Sequence, residues 1–443
     1  MQGKNLSNIC NTVICFFKKT AVQIDKAVRF AQRKSKLKAQ LFAEVLVSGC
    51  LSDPTISLER LCKLLRCRGI KITKQGLHQR FNSKASQLMQ NFFIESLRQF
   101  KTEKSNVIDL LKPFSSVSMI DSSGISLPAN LKDLYKGNGG AASEAGLKIQ
   151  VLFDYLQGQM NQVTITEGCK NDQGFEGHLS QIEKGSLHLQ DLGYFKLKSF
   201  ATIQAQGAYF ISRYLCQTKI LNEVGEKIDL LNELERSPYF FTKEVWLGQK
   251  EKVLVRLIAS RLLNNEAVER RINKIKRGAQ KKGRTPTKET LELAKWSIYI
   301  TNVDETMLTD EQIHLVYSLR WQIELFFKLC KSEAGLASIS GRKSNRILCE
   351  LYAKLICITM LLYFCFPLRW QENQEISFQK AYKILKLKAL SFFEAIKSPY
   401  RLLIFIKELF SDLENFACKD KYRKKRRLTY QKLMDSAGQE TLA

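Results

Sequence analysis

The stretch YSLRWQIELFFKLCKSEAGL, residues 317–336, constrains the fold of this chain more than any other segment. Most of its positions are apolar, yet at about 100° per residue four polar side chains share a stripe roughly 60° wide: Tyr317, Arg320, Glu324 and Lys331. A helix on the surface of a soluble protein has a wide polar face and a narrow apolar one. The reverse pattern predicts a helix packed on most sides, with its polar stripe lining a cleft.

An ordinary ion pair is the alternative interpretation of this stripe. Arg320 and Glu324 are four residues apart, and such a pair stabilises an isolated helix by about 0.2–0.5 kcal/mol. Ion pairs of this kind lie on broad polar faces, however, and this helix has none. We therefore expect polar partners for the stripe on other segments of the chain.

The excess of basic residues predicts a polyanionic partner. The 443 residues include 70 Lys and Arg against 43 Asp and Glu, a formal net charge of +27. These cations are spread along the chain rather than confined to one amphipathic helix, which favours nucleic acid over a membrane surface. A merely basic soluble protein is the alternative. The length allows about two to four domains.

Cysteine and histidine usage predicts neither zinc nor disulfides. No C-x-x-C pair occurs among the 12 cysteines, and the 4 histidines lie near no cysteine pair. Free thiols in apolar settings are typical of a reducing cytoplasm. The apolar patch at residues 13–17 lacks a signal-peptide cleavage site, and the run at residues 355–367 is too short to span a bilayer. We therefore expect a soluble cytoplasmic protein with no membrane partner.

Residues 1–105 are predicted to form a helical DNA-binding domain. Within them, SLERLCKLLRCRGIKITKQGLHQRF, residues 57–81, has capping residues and a central glycine placed as in a helix-turn-helix. The second helix would present donors to the DNA, among them Lys74 and Arg80. An ordinary basic helical hairpin is the alternative.

Residues 106–348 are predicted to form a mixed sheet with helices on both faces. Three strands come first, the second and third joined by a turn at residues 157–159. Alternating helices and strands follow, among them a helix at FEGHLSQIEKG and a strand over residues 186–195, an order typical of α/β domains. Residues 216–310 interrupt this order with alternating, strand-like segments and the basic run RRINKIKRGAQKKGR, residues 270–284. We interpret them as an inserted, mainly β subdomain. The basic run is a solvated face by default, but beside a nucleic-acid site it becomes a phosphate contact.

Residues 349–443 are predicted to be helical, strongly apolar at first and basic at the end, with KDKYRKKRR at residues 419–427. Residues 385–416 form our candidate dimer interface. Simple packing onto the rest of the protein is the alternative for that segment.

Three acids on three separate elements form a candidate metal site. Asp121 and Asp191 each end an apolar strand-like run, and Glu324 lies on the late helix. Three such carboxylates can hold two Mg²⁺ ions, which suit oxygen ligands and can activate an attacking hydroxyl and stabilise a leaving oxygen. Mn²⁺ is expected to substitute.

The pattern Tyr317-x2-Arg320-x3-Glu324-x6-Lys331 resembles the Y-R-E-K signature of bacterial insertion-sequence transposases of family four. DLGYF around Asp191 and MIDSSGISLP at residues 119–128 also resemble motifs of that family, over roughly half of the chain. These are cut-and-paste DDE enzymes with a ribonuclease H-like core and, in several members, an all-β insertion between the second and third acids.

The resemblance implies a role for each matching residue. Three would be the catalytic, metal-binding acids: Asp121, Asp191 and Glu324. Five would contact DNA: Tyr317, Arg320 and Lys331 near the transposon end, Arg213 at the cleaved end, and Trp296 against a flipped base in members that form DNA hairpins. For Trp296, a core strand position is the alternative, because AKWSIYITN has the pattern of a buried strand.

The leading hypothesis is therefore a Mg²⁺-dependent DNA transposase and endonuclease of an insertion sequence, associated with the bacterial nucleoid. It would bind the inverted ends of its element as a homodimer on double-stranded DNA, cleave them by way of a hairpin, and join the 3′-hydroxyls to target DNA. Two alternatives remain: a structure-specific nuclease of the same fold, and a DNA-binding repressor derived from a transposase.

Overall fold

The computed structural model describes residues 2–32, 36–102, 108–139, 143–237, 239–281, 283–339, 341–368, 375–419 and 432–433. The chain forms two compact units. Unit 1 comprises Met1–Val107, Ser122–Lys170 and Gln322–Leu428, and unit 2 comprises Ile108–Asp121, Asn171–Trp321 and Thr429–Ala443. Of the predicted basic tail at residues 419–427, only Lys419 lies within the described residues.

The described residues form sixteen α-helices and nine strands. The helices are α1 (Gln2–Cys15), α2 (Ala21–Val28), α3 (Ala39–Ser52), α4 (Leu58–Cys67), α5 (Lys74–Arg80), α6 (Ser83–Gln99), α7 (Leu197–Ala205), α8 (Leu230–Glu235), α9 (Asn265–Gln280), α10 (Lys288–Leu293), α11 (Asp310–Tyr317), α12 (Trp321–Ser332), α13 (Ser344–Cys365), α14 (Phe378–Leu387), α15 (Ala389–Ala395) and α16 (Pro399–Phe416). The strands are β1 (Val117–Leu127), β2 (Ala145–Asp154), β3 (Gln159–Glu167), β4 (Leu187–Gln190), β5 (Tyr209–Arg213), β6 (Ile220–Leu221), β7 (Phe240–Leu247), β8 (Val253–Arg261) and β9 (Trp296–Thr301).

The sheet of unit 2 has the strand order β1-β4-β5-β9-β8-β7-β6, to which β1 contributes its first half. β1, β4 and β5 are parallel, and the remaining pairings are antiparallel. In unit 1, β2 and β3 form an antiparallel hairpin next to the second half of β1. The order β3-β2-β1-β4-β5 is that of a ribonuclease H-like mixed sheet. The fold class predicted from the sequence is thereby confirmed.

One face of the unit 2 sheet packs into an apolar core. Alternate residues of β8 and β9 point into it, as the period-two pattern of a strand requires. α7 covers this face with Phe200 and Ile203, which are fully buried there. The opposite face of β5 and β9 therefore points away from the core, and its polar residues need other partners.

The predicted insertion, residues 216–310, carries strands β6 to β9 and helices α8 to α10. Its long strands β7 and β8 are antiparallel, as their alternating sequence predicts. They do not form a second sheet, because β8 pairs with β9 over six residues and β9 pairs in turn with β5. The insertion therefore extends the sheet of unit 2, with helices between its strands.

Two shorter predictions differ from the structure. The segment FEGHLSQIEKG was predicted to be an α-helix, but it forms only a 3-10 segment, Gly177–Gln181. The strand predicted over residues 186–195 ends at Gln190, and a 3-10 turn, Leu192–Tyr194, follows. Both segments contain glycine, which weakens regular secondary structure.

The long apolar helix α13 is buried in unit 1. With the turn after it, the segment Ser344–Leu368 is long and apolar enough to cross a membrane by length and composition, and it includes the shorter apolar run at residues 355–367 considered above. Its apolar window is 83% buried, however, as in the core helix of a soluble protein. Its charges are also satisfied inside unit 1: Arg346 Nε lies 2.7 Å from Glu350 Oε1, and Lys354 Nζ donates to the Gly335 carbonyl over 2.8 Å.

The amino-terminal hairpin has the caps predicted from its sequence. The Ser57 hydroxyl accepts the Arg60 N–H at the start of α4, and the Thr73 hydroxyl accepts the Gly76 N–H at the start of α5. Gly69 takes a φ of +77° in the turn between the helices, a conformation that glycine adopts without strain. Four side chains of α5 are exposed: Lys74, Gln75, His78 and Gln79.

Candidate active site

Asp121 and Asp191 occupy matching positions on neighbouring parallel chain segments. Met119 of β1 is paired with Leu189 of β4, and continuing this register by two residues pairs Asp121 with Asp191. Matching residues of parallel strands point to the same face, and neighbouring strands lie about 4.8 Å apart. Continued in this way, the register would place the two carboxylates side by side on one face of the unit 2 sheet.

The same row continues across β5 and β9. Leu189 is paired with Ile211, so the register matches Asp191 with Arg213. Arg213 is paired in turn with Tyr299 of β9. We call these four residues the acid–arginine row: Asp121, Asp191, Arg213 and Tyr299. The row places two anionic and one cationic side chain in sequence along one line of the sheet.

Two residues of the polar stripe lie beside Asp191. The Nε atom of Arg320 is 3.8 Å from Asp191 Oδ1, and the hydroxyl of Tyr317 donates to the Gln190 carbonyl over 3.3 Å. The side chain of Arg320 is 15% exposed, whereas that of Asp191 is 41% exposed. Arg320 is therefore held against the sheet while the Asp191 carboxylate stays accessible to a ligand.

Two tyrosines of this face, Tyr317 and Tyr299, are buried. Burial raises the pKa of Tyr317, and the negative charge of Asp191 adds to that shift. Burial also raises the pKa of Tyr299, against the opposing effect of Arg213 and Arg271. The two rings lie 5.0 Å apart, centroid to centroid. Tyr299 was not among the predicted site residues.

Arg271 is a second residue of this face that the sequence did not identify. Its guanidinium donates to the Trp296 carbonyl over 2.9 Å and to the Ser297 hydroxyl over 3.0 Å. Burial lowers the pKa of Arg271, and the positive charge of Arg213 acts in the same direction. Within the described residues, neither Arg213 nor Arg271 has a carboxylate within 4.0 Å. This face therefore carries positive charge suited to a phosphate group.

Trp296 lies on the other face of the sheet. It is 9% exposed and belongs to the apolar core together with Ile298 and Ile300 of β9. Tyr299 lies between those two residues in sequence, so its side chain points the opposite way. The position of Trp296 fits the core-strand interpretation and does not present the ring to the acid–arginine row.

Glu324 and Lys331 belong to unit 1, where both lie on α12. Glu324 is half-buried and Lys331 is exposed. In the part of the chain that the structure describes, no three Asp, Glu, His or Cys side chains are grouped closely enough to hold a metal ion. The pair Asp121 and Asp191 nevertheless fits Mg²⁺, because this ion is commonly bound through one or two carboxylates together with waters and substrate phosphates.

Of the two donors predicted on α5, only Lys74 is available. Its side chain is 65% exposed and lies 3.3 Å from Glu59 in a surface ion pair. The Nη2 of Arg80 instead donates to the carbonyls of Phe30 and Leu37, each over 3.3 Å, and the guanidinium lies 4.4 Å from the centre of the Phe30 ring. The prediction of an outward-facing Arg80 was therefore wrong, because the chain before α3 covers this side of α5.

Two histidines, His188 and His178, are buried near β4, the strand that precedes Asp191. His188 on β4 shares a hydrogen bond of 2.8 Å between its Nε2 and the Ser186 hydroxyl. Burial lowers the pKa of His188 to about 3 and that of His178 to about 4. Both rings are neutral at neutral pH and stabilise the strand without adding charge.

Comparison with known proteins identifies the family of this chain. A family model described as "Transposase DDE domain" matches residues 112–360. More than half of the chain is covered by that match, and the chain belongs to the DDE transposase family.

Relatives of similar length are transposases of insertion sequences. The chain is 28% identical over 433 residues to the transposase for IS231F of Bacillus thuringiensis subsp. israelensis, covering 91% of this chain and 90% of the relative. It is 30% identical over 402 residues to that for IS231B of Bacillus thuringiensis subsp. berliner, covering 85% and 84%. It is 28% identical over 428 residues to that for IS1151 of Clostridium perfringens, covering 90% of each.

A more distant likeness is to a solved structure, the cryo-EM structure of the piggyBac transposase synaptic complex with hairpin DNA. The TM-score is 0.45 at 11% sequence identity, over 91% of this chain and 85% of that chain.

Proposed function

We propose that this insertion-sequence transposase binds the two inverted ends of its own element, cleaves them by metal-dependent phosphodiester hydrolysis and joins the freed 3′-hydroxyls to target DNA. The observation that supports this proposal most is the acid–arginine row, in which Asp121 and Asp191 share one sheet face with Arg213. Paired carboxylates beside a cation are suited to a phosphodiester with bound divalent ions.

Asp121 and Asp191 would hold Mg²⁺, and Mn²⁺ is expected to substitute; the family resemblance alone implies Glu324 as a third ligand. When bound, a pair of divalent ions supplies an activated hydroxyl and stabilises the leaving oxygen of the phosphodiester. Asp121 lies within β1, and carboxylates on strands are held more rigidly than carboxylates on loops.

The other side chains of this face orient and neutralise the DNA. Arg320 lies 3.8 Å from the Asp191 carboxylate and offsets part of its negative charge. Arg213 has no carboxylate partner in the described part of the chain, and its guanidinium can bind a phosphate through two parallel hydrogen bonds. Tyr317 and Lys331 complete the contacts with the transposon end that the family signature implies.

The hairpin route is proposed from the family resemblance alone. In that route Trp296 would stack against a flipped base, but its ring packs into the core face of the sheet. Stacking by Trp296 would thus require the ring to leave its apolar neighbours when DNA binds.

We further propose that the active form is a homodimer assembled on double-stranded DNA in the bacterial cytoplasm, in association with the nucleoid. The net charge of +27 supports association with DNA. Two transposon ends must meet before they are joined to one target, which supports a dimer, and residues 385–416 remain our candidate interface.

The decisive experiment uses labelled DNA from both flanks of the coding region, with binding, cleavage and strand transfer measured in Mg²⁺. Asp191→Asn removes a metal ligand with little change of shape and is expected to bind the ends without cutting them. Losing a residue that only orients a ligand costs about 10–100-fold, so losing the ligand itself should cost more than about 10²-fold. Asp133→Asn, an exposed acid of unit 1, is the matched control and should cut like the wild type.

Three outcomes would contradict the proposal. Cutting by Asp191→Asn at the wild-type rate would exclude this residue from the chemistry. Cleavage by the wild-type protein without any joined product would favour the structure-specific nuclease. Binding without cleavage by the wild type would favour the repressor.

A further inference from the structure

The helix α9 is the most basic surface element of unit 2 and has no assigned role. Its sequence is NEAVERRINKIKRGAQ, and none of its residues is fully buried. The half-buried positions lie on one side and include Val268, Ile272 and Ile275, which attach the helix to the rest of unit 2. Except for the half-buried Arg271, the charged positions of α9 are exposed.

Three cations of α9 and Lys281, the residue that follows it, share one line. At about 100° per residue, a stripe roughly 60° wide contains four exposed cations at spacings of three and four residues: Arg270, Lys274, Arg277 and Lys281. We call these four residues the α9 stripe. Lys276 is equally exposed but lies well outside the stripe, on the far flank of the same helix.

This arrangement costs stability in the protein alone. Like charges three or four residues apart repel each other by about 0.2–0.5 kcal/mol per pair. Arg270 has a carboxylate partner, Glu266, at 3.2 Å. Within the described residues, Lys274, Arg277 and Lys281 have no carboxylate within 4.0 Å. An anion bound along the stripe would remove this repulsion.

α9 is attached directly beside the acid–arginine row. Its residue Arg271 donates to the Trp296 carbonyl and the Ser297 hydroxyl at the start of β9, the strand that carries Tyr299. The stripe therefore lies on a helix that is attached beside the candidate active site, and the charges of Arg213 and Tyr299 affect the pKa of its Arg271. At 1.5 Å per residue it extends over roughly 16 Å, which corresponds to about five phosphates of one DNA strand.

We propose that the α9 stripe binds the phosphate backbone of duplex DNA without regard to sequence and so extends the DNA-binding surface of the acid–arginine row. The proposal rests on the proposed function for the identity of the anion. The proposal assigns the DNA-phosphate contact to the α9 stripe and predicts that Lys276, on another side of the same helix, does not contribute to it.

The test measures binding of a fluorescein-labelled duplex of alternating dA–dT sequence, several helical turns long, to the full-length protein. Fluorescence anisotropy is recorded between about 50 and 200 mM salt. EDTA is present, so the result does not depend on whether the protein can cleave. The variant Lys274→Gln/Arg277→Gln/Lys281→Gln keeps side chains of helix-forming length, and Lys276→Gln is the matched control.

Each lost phosphate contact should lower the slope of log K against log salt by about 0.9, so the triple variant should lose about 2–3 in slope. Lys276→Gln should keep the wild-type slope. An unchanged slope in the triple variant, or an equal loss in Lys276→Gln, would overturn the proposal. Should the triple variant lower the thermal midpoint, the single variants Lys274→Gln and Arg277→Gln decide, each with an expected loss of about 0.9.

Failure of the stripe and failure of the proposed function give different results. If the transposase mechanism is wrong, Asp191→Asn and the wild type behave alike on the flanking DNA, whatever the anisotropy shows. If only the stripe is wrong, cleavage still depends on Asp191 while the salt dependence of binding is insensitive to α9.

Discussion

Arg80 on α5 and Arg213 on β5 were both predicted to contact DNA, and the structure gives them different surroundings. Arg80 donates to two backbone carbonyls of unit 1 and lies over the Phe30 ring. Arg213, in unit 2, has no carboxylate within 4.0 Å in the described residues and lies in register with Asp191. A cation whose donors are already bound to protein holds the fold together, whereas a cation without a protein partner is available to a ligand.

The largest expected effect on stability comes from Trp296, on the apolar face of the unit 2 sheet. Trp296→Ala should lower the free energy of unfolding by about 3–5 kcal/mol, because it removes a buried ring from the core. Thermal unfolding measures this loss. Trp296→Phe should recover most of it. If Trp296→Ala is instead as stable as the wild type and impairs only hairpin formation, the ring contacts DNA and does not stabilise the core.

Arg80→Ala should have the next largest effect. Hydrogen bonds from charged groups contribute about 1.5–3 kcal/mol, and this change removes two donors and leaves the carbonyls of Phe30 and Leu37 without them. The matched control is Lys74→Ala on the same helix, which should change stability by less than about 0.5 kcal/mol. Urea unfolding of both variants compares them. Equal stabilities would mean that the contacts of Arg80 add nothing and that the contrast with Arg213 does not hold.

The buried histidines predict a loss of stability in acid. His188 and His178 have pKa values lowered to about 3 and about 4, below the value of about 6.5 in an unfolded chain. As the pH falls below about 6.5, the unfolded state takes up protons that the folded state does not. Stability should therefore fall between about pH 6.5 and pH 4, by up to about 1.4 kcal/mol per pH unit for each histidine. Thermal midpoints across this range measure the fall.

His188→Gln should flatten this pH profile by removing one titrating group while keeping a polar partner for Ser186. A profile as steep as that of the wild type would assign the acid sensitivity to other residues.

Arg213→Ala should have the smallest effect on stability, less than about 0.5 kcal/mol, because it removes no ion pair and relieves repulsion from Arg271. In contrast, it should weaken DNA binding measurably, lowering the slope of log K against log salt by about 0.9. Anisotropy and thermal unfolding of the same preparation give both values. A large loss of stability would show that Arg213, like Arg80, stabilises the fold and is not free to bind DNA.

Local patterns in the sequence predicted the elements well. The alternating segments gave the β2–β3 hairpin and the β7–β8 pair, and short polar residues gave the caps at Ser57 and Thr73. These features depend on neighbouring residues only. The positions of Asp121 and Asp191 next to strands could be predicted for the same reason, since each acid follows an apolar run.

The contacts between distant segments could not be predicted in this way. The register of β5 with β9 brings Tyr299 next to Arg213, although 85 residues separate them along the chain. In the sequence, Arg271 is one of several cations in a basic run, and only its hydrogen bond to β9 distinguishes it from the others. The partners of Arg80 belong to the chain before α3. A helical wheel of α5 cannot show them, because it contains only the residues of that helix. Each of these facts depends on tertiary structure.

The matching positions in the acid–arginine row have a consequence for how this gene can change. Because side chains alternate between faces, adding or deleting a single codon within β4 would turn Asp191 toward the apolar core, even though the reading frame is preserved. The same holds for Asp121 in β1 and Arg213 in β5. Codon-sized insertions should therefore be tolerated in the connections between these strands and eliminated within them.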